Sequence, residues 1–154
     1  MLTGVMPLIW LCVVSIVTVV AASASIWATI EDRRDIGTGH PSFESLASYT
    51  GNWSRDTFIR ILGEPDKSEC FALPHDKIHE LPISWSSRIF DSPFADILSI
   101  ILAATSPFLW MKSGTAAFVV VSIAAGIQAI GYTIATIVTY RSGIWRKWLQ
   151  DPKP

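Results

Sequence analysis

The chain has 154 residues, half of them hydrophobic and only 16% charged, with a formal net charge of −1, against roughly 25% charged residues in an ordinary soluble domain. Its charges are segregated: residues 1–30 hold none and residues 97–140 hold only Lys112. This distribution excludes a disordered chain, an electrostatically driven nucleic-acid binder and a simple soluble globule. It indicates an integral membrane protein with a small extramembrane part.

The first apolar run, residues 5–30, is about 39 Å long at 1.5 Å per residue, enough to cross a hydrocarbon core of about 30 Å with tilt. Trp10 and Trp27 stand near its ends, where indole rings anchor at the interface. Ala22-Ser23-Ala24 has the A-x-A form of a signal cleavage site, which would remove residues 1–24. No Lys or Arg precedes the run, and apolar sequence continues through Ile26, Trp27 and Ile30, so an uncleaved helix is expected. Ser15, Thr18, Ala22, Ser25 and Thr29 follow one another at spacings of three and four and share one helix face. Lipid gives no hydrophobic drive to helix association, so such small residues mark a seam where backbones approach.

Residues 31–92 hold most of the charge and read as a small α+β insert. The mixed charge run 31–35 extends the first helix or forms a collar, and Gly37-Thr38-Gly39 breaks it. Ser42 suits the cap of a short helix ending near Thr50, with Gly51 behind it. A second helix fits residues 55–62, with Ser54 or Asn52 as cap, Phe58, Ile61 and Leu62 as its apolar face, and Gly63 and Pro65 as its stop. The stretch 53–66, ending in Leu62-Gly63-Glu64-Pro65, resembles a helix-and-turn of some small bacterial envelope domains over about a tenth of the chain, and no family follows from it. Residues 68–73 and 83–90 fit the two strands of a hairpin, the second with Ile83, Trp85 and Ile89 on one face. Trp53, Phe58, Trp85 and Phe90 are the aromatic candidates for burial.

Candidate chemistry is confined to Cys70, His75, His79 and Glu80. On a helix the two histidines lie one turn apart on the same face, a spacing that holds zinc or another divalent metal, with Cys70 as a soft third ligand. Asp76 follows the first histidine, so the pattern is not HExxH, and Pro74 and Pro82 limit a helix here to about two turns. A solvated surface turn is the alternative. The chain has no Gly-rich phosphate loop, no nucleophile elbow and no CxxC, and no small-molecule substrate is evident. Two cysteines form no disulfide framework.

Residues 93–140 read as a transmembrane hairpin. Ser92 suits the cap and Pro93 the first position of a helix over 93–111, with Asp91 and Asp96 at the positive end of its dipole. That helix is about 28 Å long, just enough to span. Pro107 should kink it, which leaves a re-entrant segment as the alternative. A turn at 112–114 leads to a third run over 115–140, where Ser122, Gly126, Ala129, Thr133 and Thr136 repeat the seam spacing. Gln128 is the one strongly polar side chain of this helix, expected to make a single interhelical hydrogen bond, while Asp96 is placed near the interface. In the tail, 141–154, Trp145 and Trp148 join Ile144 and Leu149 on one helical face beside Arg146 and Lys147, an interfacial anchor.

The expected fold is a membrane all-α bundle: one N-terminal transmembrane helix, a small α+β extramembrane insert, and two helices as a C-terminal hairpin. Seven Lys and Arg residues lie in 31–92 and four in the tail, against Lys112 alone in the hairpin turn and none ahead of the first run. The positive-inside rule then puts the N-terminus outside and both the insert and the C-terminus in the cytoplasm, most simply of a bacterial cell. The leading function is protein–protein interaction, as an accessory, assembly or immunity-type subunit in the lipid bilayer with a membrane-protein partner or a second copy. The alternatives are a metal-dependent enzyme or sensor at His75 and His79 and a holin-like pore former. The long insert and the lack of a strongly polar helix face count against the pore.

Overall fold

The protein's structure, a computed structural model, describes residues 2–85, 88 and 93–142. In chain order it has α1 (Leu2–Gly37), α2 (Phe43–Thr50), α3 (Arg55–Leu62), a 3-10 helix η1 (His75–Glu80), α4 (Pro93–Trp110) and α5 (Gly114–Ser142). Three helices, over 5–37, 93–110 and 114–137, are long and apolar enough to cross a membrane. Val13, Ile16, Val20, Ile101 and Ile123 are exposed on them, which fits a lipid surround rather than water. The described residues divide into two compact units, one within 1–27 and 92–132 and the other within 28–91 and 133–154.

The first unit buries one narrow face of each long helix. From α1 come Leu11, Ser15, Thr18 and Ala22; from α4, Asp96, Ser99, Ala103 and Ser106; from α5, Ala117, Val121, Ala124 and Gln128. Each set advances by three and four residues, the repeat that keeps side chains on one helical face. Leu11, Ala117 and Val121 form its apolar cluster, flanked by Leu109 and Trp110. The hairpin closes at residues 111–113, where the Lys112 and Ser113 N–H groups donate to the Leu109 carbonyl at 3.0 and 2.8 Å. Ser113 then caps α5: its hydroxyl accepts from the Ala116 N–H at 3.3 Å. Trp110 meets Phe118 edge-on at 5.8 Å across the turn.

The second unit has its own core: Ile36 from the end of α1, Leu46 and Ala47 from α2, Phe58 from α3, then Phe71, Leu73 and Leu81. Phe43 stands edge-on to Phe58 at 5.9 Å. Asp35 ties α1 to α2, because its Oδ2 accepts from the Ser42 N–H at 2.9 Å and the Ser42 hydroxyl at 3.2 Å. The Ser42 hydroxyl in turn accepts the Ser45 N–H at 3.2 Å and caps α2. Gly51 ends α2 in the left-handed region at φ 66°. Gly63 ends α3 at φ 92°, with its N–H on the Ile59 carbonyl at 2.9 Å. Lys77 places its ammonium on the Ile61 carbonyl at 3.1 Å, a cation at the negative end of α3.

The expected α+β insert is corrected to an all-helical one, with no strands among the described residues. Residues 71–73 are extended, but they pair with the short segment after α1: Phe71 N–H to Pro41 carbonyl at 2.9 Å, Leu73 N–H to Gly39 carbonyl at 2.8 Å. One isolated antiparallel bridge, Ser42 to Cys70, is all the ladder that forms. The Asp66 carboxylate has taken the N–H groups of Ser68 and Cys70, at 2.8 and 2.9 Å, that a strand would have offered. In the expected second strand the Arg88 N–H instead returns to the Ser84 carbonyl at 3.2 Å, a helical bond. Trp85 is 76% exposed and not a core residue. Phe90, Ser92, and the tail residues Trp145 and Trp148 lie outside the described residues.

Candidate functional site

The polar groups of the transmembrane unit converge on its interior. Gln128 donates its amide to Asp96 Oδ1 at 2.8 Å across the hairpin. Asp96 is only 3% exposed, and its Oδ2 is buried with no hydrogen-bond partner. Fourteen residues separate Asp96 from Trp110, so the carboxyl lies about 21 Å along α4 from the hairpin turn. It stands three residues, about 4.5 Å, inside the start of α4 at Pro93. The sequence singles out Gln128 and its single bond, but not Asp96 as its buried partner. The missed signal was periodic: Asp96, Ser99, Ala103 and Ser106 carry the same three-four spacing as the seams on the other helices.

Hydroxyls complete this interior. Ser15 and Ser106 share a hydrogen bond of 2.8 Å between α1 and α4. The Ser106 proton is committed to the Ala103 carbonyl at 2.9 Å, so Ser15 is the donor between them. Thr18 and Ser99 turn back onto the Val14 and Ala95 carbonyls of their own helices, at 2.8 and 2.9 Å. Tyr132 donates to the Ala21 carbonyl at 3.0 Å.

The two seams have different fates. On α1, Ser15, Thr18 and Ala22 are buried while Ser25 and Thr29 are half-buried. On α5, Ser122, Ala129, Thr133 and Thr136 are exposed and Gly126 is half-buried. A Cβ placed on Gly126 would meet no atom within 4 Å. The face α5 turns inward is the neighbouring one, at Val121, Ala124 and Gln128. Trp10 and Trp27 are 65% and 71% exposed on α1.

The histidine pair sits on a 3-10 helix, not an α-helix. With three residues per turn, positions four apart point about 120° away from each other, so His75 and His79 do not share a face. Both are exposed. Among the described residues no three His, Cys, Asp or Glu side chains gather to hold a metal ion. Cys70 is half-buried. Burial pushes its thiol above the ordinary cysteine value, and the Asp66 and Asp35 carboxylates push it the same way, the reverse of what a thiolate ligand needs. Beside the end of α1, an open cleft of about 510 Å³ is lined by Glu31, Asp32, Arg34, Asp35, Thr38 and Glu44 among others. The Thr38 hydroxyl there donates to the Asp35 carbonyl at 2.6 Å, a bond that closes the end of the helix.

No protein-family model, curated protein or solved structure matches this chain. The reading of its function therefore stands on the seams, the buried pair and the charge distribution.

Proposed function

We propose that this is a small membrane subunit that acts by binding another membrane protein, in an accessory, assembly or immunity-type role. In this reading the outer face of α5, around Ser122 and Gly126, docks against a partner helix or a second copy. The N-terminus lies outside the cell and the helical insert lies in the cytoplasm. One observation carries the proposal: α1 spends its small residues on packing within the chain, whereas α5 carries an equivalent set on the outside. In lipid, close backbone approach at such residues is a main source of helix association. The balance of Lys and Arg supports the orientation.

The test is purification of the full chain from its native membranes in mild detergent, with mass spectrometry of what accompanies it. A stoichiometric companion is expected, and Gly126→Leu should reduce its recovery at least about tenfold, the effect of losing about 1.4 kcal/mol. The fold should tolerate that substitution, because a Cβ at Gly126 meets nothing within 4 Å. A protein that comes out alone, or a companion indifferent to Gly126→Leu, would count against the reading.

A further inference from the structure

Asp96 poses a charge problem that the chain leaves unsolved. One carboxyl oxygen accepts the Gln128 amide at 2.8 Å, and the other is buried without a partner. An amide is a dipole, and a buried carboxylate with one neutral donor is costly in a bilayer, where such groups pair with an opposite charge. The apolar segments supply none. Residues 1–30 have no Lys or Arg, and residues 93–140 have only Lys112, in the turn at the far end of α4.

We propose that Asp96 is the docking point for a Lys or Arg side chain carried on a membrane-spanning helix of a partner protein. The inference rests on the interaction reading above and adds the chemistry of the partner. Asp96 belongs to an apolar helix long enough to span, over 93–110, so the cation that can come alongside it is one carried on a partner's own membrane-spanning helix. A divalent ion is a poor fit, because no second and third acidic or histidine ligand stands with Asp96 among the described residues. An ammonium or guanidinium needs only the one oxygen, and its long apolar stem tolerates the surroundings.

The experiment uses the full chain reconstituted in phosphatidylcholine vesicles with a synthetic Leu/Ala membrane-spanning helix. One peptide carries a single Lys two turns from its end and a control carries Leu there, and energy transfer between dyes on the two partners reads association. The wild-type protein should bind the Lys peptide about tenfold more tightly than the Leu peptide, the ratio that 1.4 kcal/mol gives. Asp96→Asn should abolish the preference. Equal binding of the two peptides to the wild type overturns the inference, and that comparison needs no variant to fold. So does a preference that survives in Asp96→Asn. A native companion lost with Gly126→Leu but kept with Asp96→Asn would overturn this inference while leaving the proposed function standing. A wild type that purifies alone yet prefers the Lys peptide would do the reverse.

Discussion

Gln128 and Asp96 are 32 residues apart in sequence, and their bond fixes the register of the hairpin. In lipid an interhelical hydrogen bond of this kind contributes about 0.6–2 kcal/mol. Deleting one partner costs more than that gain suggests, because the other stays buried and unsatisfied. Gln128→Leu removes the donor seen on Asp96 and should destabilise the protein by about 1–3 kcal/mol, read as a fall in the midpoint of thermal unfolding in detergent. The double variant Asp96→Leu/Gln128→Leu should recover most of that loss, since both polar groups leave together. A double variant as unstable as the single one would show that the pair does not set the hairpin. The glutamine was legible in the sequence because it stands alone in an apolar helix. Its partner was not, because the pairing depends on how tightly the chain turns at 111–113, where the Ser113 cap and the contact of Trp110 with Phe118 set the register.

At the scale of elements, helices announced themselves through their ends, and irregular segments did not. Ser42 and Gly51 cap the two ends of α2, whereas Ser54 and Gly63 stand at the two ends of α3 with no side-chain cap bond from Ser54. The two expected strands did not form among the described residues, and in the first of them a side chain captured the backbone donors. Asp66 took two N–H groups from the expected first strand. The segment between Pro74 and Pro82 wound as a 3-10 helix, whose tighter pitch separates the two histidines. Glycine shows the same dependence on backbone conformation. Gly63 has φ 92° and ψ −177°, a region closed to residues with a Cβ, although no atom lies within 4 Å of where a Cβ would stand. Gly63→Ala should therefore cost about 1–3 kcal/mol from backbone strain alone. Gly37→Ala is the control, because that position also has free space and lies at the end of helix α1. There the substitution should be neutral or stabilise by up to about 1 kcal/mol. Equal destabilisation by the two in a thermal melt would remove the conformational argument.

On the scale of the whole molecule, three apolar helices and a charged helical insert leave one global variable, the direction in which the chain crosses the membrane. Seven Lys and Arg residues in 31–92 against Lys112 in the hairpin turn favour a cytoplasmic insert. Cys70 lies in that insert, and Cys12 lies in the apolar part of α1. A membrane-impermeant maleimide should therefore leave Cys70 unmodified in intact cells and label it once the membrane is permeabilised. The pH of the assay matters, because the thiolate is the reactive form. Burial and the neighbouring Asp66 and Asp35 carboxylates raise the Cys70 thiol above its ordinary value, so at any given pH less thiolate is present than on a free cysteine. Labelling after permeabilisation should thus be slow near neutral pH and accelerate as the pH rises toward and past the ordinary thiol range. That acceleration separates a thiol that is accessible but protonated from one that is shielded. If intact cells label Cys70 as fast as permeabilised ones across this range, the insert faces outward. The basic residues around it would then need an anchor other than the positive-inside rule, and Asp96 would lie toward the external face of the membrane.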